Sequence, residues 1–214
     1  MFQNRPEILS LFLKASVFLY AFLFFTATGW CNLDISVQKH KNSGLTEEEI
    51  RKLVSYDHLI RYFSNFAYFV PRHKVHPDFI RALIVAESGV NPKAVSSKKA
   101  LGLGQILLST GQQAGKELFQ SKIDFKYASK SRLKNLTRTD LFDPAINILL
   151  TCYLISKYNY KFKGKLDLVI SAWNAGENTP SLSYGRHAPY QETENLIGKV
   201  NGYYTYLLKN KVFP

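Results

Sequence analysis

Glu87 is the residue best placed to do chemistry. It closes the stretch His76-Pro-Asp-Phe-Ile-Arg-Ala-Leu-Ile-Val-Ala-Glu-Ser-Gly89. Pro77 and Asp78 supply a helix start, because proline is tolerated and an acid is favoured in the first turn. Phe79, Ile80, Ala82, Leu83, Ile84, Val85 and Ala86 leave the helix almost no polar face, which predicts burial. Gly89 is a natural terminator. A carboxyl group at the last turn of a buried helix is desolvated and lies at the negative end of the helix dipole, and both effects favour its protonated form. Such a group can donate a proton near neutral pH. The bland reading is a helix-terminal glutamate in water or in an ion pair, and this helix alone does not exclude it.

Other chemistries find less support. His73 and His76 are three apart, but Pro77 interrupts any shared helix and no thiol or acid accompanies them, so no metal site is expected. The two cysteines, Cys31 and Cys152, do not make a disulfide framework, and Cys152 lies in an apolar helical run as a small core residue. No cofactor motif is present. Asp124, Asp140, Asp143 and Asp167 all lie between Glu87 and Asn174, and none is evidently a catalytic partner.

The elements that must hold Glu87 are helices. Thr46 to Glu49 reads as a capping box for a helix whose apolar face is Ile50, Leu53, Val54, Leu59, Ile60, Phe63 and Phe66, with Pro71 ending the segment. Asn91-Pro92 is a turn. Gly102-Leu-Gly-Gln105 cannot be a helix interior at ordinary cost. A short helix starts at Ser109 or Thr110. Asp143-Pro144 opens another, with Ile146, Leu149, Leu150, Tyr153 and Leu154 on its apolar side. A further helix runs from Leu166 into Trp173, and the last spans roughly Glu192 to Lys209, with Leu196, Val200, Tyr203 and Leu207 at helical spacing. No long alternating strand pattern, repeat or low-complexity segment appears.

With 214 residues, 46% of them hydrophobic, the chain can bury one real core and is too apolar to be disordered. The formal charge of +12 points to an acidic partner: nucleic acid, anionic lipid or an acidic wall polymer. Residues 116–138 alone hold seven basic residues against two acids, a pattern that usually means a solvated surface. Residues 1–30 begin with basic Arg5 and Lys14, continue through a short apolar run and end in Thr28-Gly29-Trp30. This reads as an export signal cut after about Gly29, or as a retained inner-membrane anchor. The expected division is 1–30 signal or anchor, 31–73 polar segment and packing helix, and 74–214 catalytic domain.

Four stretches then fall in order: Ala86-Glu87-Ser88-Gly89, Gly102-Leu103-Gly104-Gln105-Ile106, Asp143-Pro144-Ala145-Ile146-Asn147-Ile148 and Ala172-Trp173-Asn174-Ala175-Gly176. Together they resemble the catalytic domain of the family 1 lytic transglycosylases, related to the bacterial soluble lytic murein transglycosylase, over roughly residues 74–209. The resemblance implies a mainly α-helical, lysozyme-like fold with little or no β-sheet, and no cofactor. It implies Glu87 as catalytic acid and base, with Ser88, Gly102, Leu103, Gln105, Asn147, Trp173 and Asn174 as substrate-binding positions. The implied substrate is the peptidoglycan glycan strand, cut with closure of a 1,6-anhydro ring. The implied setting is the periplasm, for a monomer with room for a membrane tether or a secretion-apparatus partner, and not nucleic acid.

Several positions depart from the family pattern. Gly104 replaces a methionine, which suggests a side chain missing from the cleft floor and a wider subsite. Lys99 replaces a glycine. Trp173 replaces a tyrosine, keeping an aromatic wall but losing a hydroxyl. Leu196 stands where a tyrosine often follows the pair seen here as Glu192-Thr193. These departures keep two other readings open: a lysozyme-type hydrolase on the same fold, and a non-catalytic wall-binding accessory of a secretion machine.

Overall fold

The computed structural model describes residues 33–71 and 73–213. The expected signal or anchor at 1–30 lies outside the described residues. No helix among the described residues is long and apolar enough to cross a membrane.

After a helical stretch at 33–40, eight helices follow: α1 (Glu47–Ser64), α2 (Pro77–Ser88), α3 (Leu108–Gln120), α4 (Lys130–Lys134), α5 (Pro144–Lys161), α6 (Leu166–Ala175), α7 (Pro180–Ser183) and α8 (Gln191–Asn210). A 3-10 turn, Asp140–Phe142, precedes α5. Among the described residues, β-structure is limited to isolated bridges, Val95 with Leu101, Leu101 with Ile106, and Phe125 with Ala128. The fold is therefore mainly α, as the helical periodicities require.

α5 is the central element. Every residue from Ile146 to Ser156 is buried, because α1, α3, α6 and the 3-10 turn all pack around it. The expected one-sided apolar face is thus corrected to burial on all sides. Asp143 starts the helix by accepting a hydrogen bond from the Ala145 N–H at 2.9 Å. Asn147 and Thr151 are polar yet buried, and both are hydrogen-bonded.

α1 begins at the expected capping box, with the Glu49 carboxylate accepting from the Thr46 N–H at 2.8 Å. Its end differs from expectation. The helix stops at Ser64, seven residues before Pro71. The chain leaves the helix there so that Phe66 and Tyr68 can pack beside Phe125, with the Tyr68 hydroxyl donating to the Phe63 carbonyl at 3.0 Å. Val54 is 58% exposed and does not belong to the buried face.

α2 is clamped between α1 and α8. His76 accepts from the Asp78 N–H at its N-terminus, and Pro77 is the first helical residue. Arg81, 1% exposed, donates to both Asp57 and Asp78, and its guanidinium lies 4.2 Å from the centre of the Phe213 ring. One buried cation therefore joins α1, α2 and the C-terminal end. Residues 33–40 lie flush on α8. A Cβ at Gly198 would meet the Ser36 carbonyl at 2.4 Å, and the His40 ring nitrogen bonds the Asn195 side chain at 2.9 Å.

Candidate active site

The carboxyl group of Glu87 emerges at the C-terminal end of α2, just before Gly89 turns the chain in a left-handed conformation. It faces a cleft of about 280 Å³. The other walls come from residues 96–107, the start of α3 (Thr110), α5 (Leu154, Tyr158), the end of α6 (Trp173, Asn174) and the first turn of α8 (Glu192).

Two features define the electrostatics. The Trp173 indole N–H donates to Glu87 Oε1 at 2.6 Å. Burial pushes the Glu87 pKa up from the usual carboxylic range to about 7; the hydrogen bond from Trp173 opposes the rise, the negative charge of Glu192 adds to it, and Lys199 opposes it. Glu87 is therefore poised to hold or release a proton near neutrality, as its place on the helix predicts. The loss of a hydroxyl at position 173 does not remove a polar partner from the acid, because the indole supplies its own donor.

Glu192 behaves oppositely. Its carboxylate pairs with Lys98 Nζ at 2.5 Å, and with Asn174 as a further hydrogen-bond partner it is held below the ordinary glutamate range. Asn174 is fixed in turn by the Thr193 hydroxyl, which donates to its Oδ1 at 2.6 Å.

The aspartates that could have supplied a second acid stand elsewhere. Arg132 holds Asp140 and Asp143, Asp124 lies 3.5 Å from Lys130 on the surface, and none of these, nor Asp167, lines the cleft. Five of the seven basic residues of 116–138 are engaged locally: Arg132 and Lys130 by acids, and Lys126, Lys134 and Arg138 by the rings of Tyr127, Phe119 and Phe142.

The structure brings Glu87, Gln105, Trp173 and Asn174 to the cleft surface. Ser88, Gly102, Leu103 and Asn147 stand behind it. The Ser88 hydroxyl bonds back to the Ile84 carbonyl and accepts from the Asn91 N–H, which fixes the turn after α2. Leu103 is fully buried. Asn147 accepts from the Gly104 N–H at 2.8 Å and donates to the carbonyls of Leu101 at 3.0 Å and Leu141 at 2.8 Å. It pins the glycine-rich loop to α5. Gly102 has φ +74, and a Cβ there would lie 2.3 Å from the Leu141 carbonyl, so only glycine fits.

Gly104 corrects an expectation. A Cβ at this position would point at Thr151 Oγ1, 2.3 Å away, and not into the cleft. Its lack of a side chain lets the loop sit on α5; it does not widen a subsite. Leu196 is a buried core residue and does not line the cleft.

Sequence reasoning missed Lys98, Glu192 and Tyr158 as cleft residues. The Glu192-Thr193 pair was visible as an anchor in the motif order. Lys98 carried no signal, being one of many lysines, and Tyr158 lay hidden within the apolar run of α5.

Comparison with known proteins bears on this arrangement. The model of the transglycosylase SLT domain matches residues 66–195, which contain every motif and all of the cleft lining. The chain belongs to the transglycosylase SLT domain family. A curated Haemophilus influenzae protein described as a soluble lytic murein transglycosylase is 31% identical to this SLT domain chain over 64% of its length and 23% of that protein's. The 70 kDa soluble lytic transglycosylase Slt70 of Escherichia coli superposes with TM-score 0.55 and 23% identity, covering 73% of this chain and 24% of that one, which shows a shared fold. An inactive mutant of the lytic transglycosylase Slt of Pseudomonas aeruginosa aligns with TM-score 0.48 and 23% identity, over 65% of this chain and 23% of that one. The SLT domain chain thus spans about a quarter of the length of these relatives.

Proposed function

We propose that this SLT domain protein is a peptidoglycan lytic transglycosylase in which Glu87 acts first as acid and then as base. The observation that carries this reading is a single carboxylic acid in the cleft with its pKa raised to about 7, while the other cleft carboxylate is ion-paired. Acid–base work by one group needs a pKa near the working pH. Glu87 protonates the oxygen of the β-1,4 bond between the muramyl sugar and its neighbour. The N-acetyl carbonyl of the muramyl sugar stabilises the positive charge growing at C1. Glu87, now a carboxylate, takes the proton from the C6 hydroxyl of the same sugar, whose oxygen closes on C1. The product is a 1,6-anhydromuramyl end, and no water is consumed.

In this reading Gln105, Trp173 and Asn174 touch the glycan, while Asn147, Gly102 and Leu103 hold the loop that carries Gln105, and Ser88 sets the end of α2. The protein works as a monomer on glycan strands in the periplasm, with residues 1–30 as export signal or tether. The names of the relatives support the substrate class.

One observation favours a second reading. Glu192 is an ionised carboxylate in the same cleft, and a hydrolase needs such a group as nucleophile or as base for water. Its pairing with Lys98 and Asn174 leaves it less free for that task. Murein digestion by the protein beside its Glu87→Gln variant tests the catalytic assignment. Loss of turnover in the variant is expected; equal digestion by both would reject it.

A further inference from the structure

Lys98 sits at the tip of a tight turn that closes over the cleft. Ser96 N–H donates to the Ala100 carbonyl at 3.0 Å, Lys99 N–H to the Ser96 carbonyl at 2.9 Å, and Ala100 N–H to Ser96 Oγ at 3.0 Å. The bridge between Val95 and Leu101 anchors the base of this turn. The turn holds its backbone in place, so the Lys98 side chain leaves from a fixed point. Its partner, Glu192, comes from the first turn of α8, and the two side chains are 67% and 60% exposed. The ion pair therefore lies on the solvent-exposed part of the cleft lining.

The charge distribution makes this cation unusual. The whole chain carries +12, yet the cleft lining holds one cation, Lys98, against two acids, Glu87 and Glu192. Binding driven by the overall charge would act on any anionic strand at long range. Selection of an acidic group at the reacting sugar needs a positive charge inside the groove, and Lys98 is the lining residue that has one. An exposed ion pair contributes little in water, so a ligand carboxylate can replace Glu192 on the ammonium with small loss. Glu192 would keep its hydrogen bond to Asn174 when that happens.

We propose that Lys98 is a specificity-determining residue: it exchanges Glu192 for a carboxylate carried on the glycan, so that the cleft selects acidic sugar strands over neutral ones of the same shape. The inference rests on reading the cleft as a glycan site. A released Glu192, its charge no longer offset by Lys98, would also help Glu87 hold its proton once the strand is seated.

The test uses the full chain with Glu87→Gln, so that binding is measured without turnover. The probes are peptide-free murein strands with their lactyl carboxylates exposed, and the same strands with those carboxylates converted to methylamides. Preference for the acidic strand should be roughly two- to fivefold, the range of an exposed charge pair. It should shrink as salt is raised. Adding K98M should make the two strands bind alike, while K98R should keep the preference. K99G removes an equal charge one residue away, at a position with φ +63 that glycine adopts readily, and should also keep the preference. A preference that survives K98M, or that K99G erases as fully, would overturn the proposal. If no preference is found while the unmodified protein still forms ring-closed product, this inference alone falls. If neither strand binds and no ring-closed product forms, the glycan reading falls and takes the inference with it.

Discussion

At the scale of single residues, the chemistry depends on how Glu87 is housed. Burial raises its pKa to about 7, so turnover should decline as pH rises through about 7 and the acid is lost. Trp173→Phe keeps the ring and removes the N–H that favours the charged form. The alkaline limb of a pH–rate profile should then move upward, and the rate at neutral pH should change by no more than roughly tenfold, the size of one charged hydrogen bond. An unmoved limb would show that the indole does not act on the acid. The same pKa has a consequence for stability. A carboxyl group with a raised folded-state pKa contributes fully below its unfolded value of 4.5, and that contribution is lost as pH rises through about 7. Glu87→Gln should therefore stabilise the protein at pH 8 by up to about 2 kcal/mol, allowing for partial contact with solvent, and by almost nothing at pH 4. Thermal melts at the two pH values read this directly. Glu87 was legible from sequence because its environment is made by neighbours along one helix. The Trp173 donor and the Lys98–Glu192 pair were not, since each joins residues 86 and 94 positions apart.

At the scale of elements, the cleft wall depends on how residues 101–106 sit on α5. Asn147 holds this loop with three hydrogen bonds. Asn147→Ala leaves buried groups unpaired and should cost about 3 kcal/mol in a denaturant titration. Gly104→Ala should destabilise by about 2 kcal/mol through overpacking against Thr151 Oγ1, and Thr151→Ala should restore much of that loss in the double variant. Additive losses would show that the two residues do not meet. Element starts were readable because capping is local: Thr46 with Glu49, Pro77, and Asp143 with Pro144 all stand where helices begin. The end of α1 was not, since Phe66 and Tyr68 leave the helix to pack on Phe125, 59 and 57 residues further along. The direction of the missing Gly104 side chain was equally hidden, being set by α5 and not by the loop's own sequence.

At the scale of the molecule, Arg81 joins α1, α2 and Phe213, so the helix bearing the acid is held from both sides by a buried cation. Arg81→Ala would leave Asp57 and Asp78 without their partner and should lower stability by about 4 kcal/mol, as loss of one member of a buried ionic cluster does. The charge of +12 should draw the protein to an acidic wall polymer, and retention on murein should weaken between low and high salt; retention indifferent to salt would exclude that role. The central claim is that the sugar closes on itself while Glu87 moves the proton. Digestion of murein in water enriched in heavy oxygen, followed by mass spectrometry of the cleaved ends, addresses this most directly. Ring-closed ends without label are predicted. Open, labelled reducing ends in place of ring-closed ones would mean that water attacks, and the transglycosylase account would be wrong.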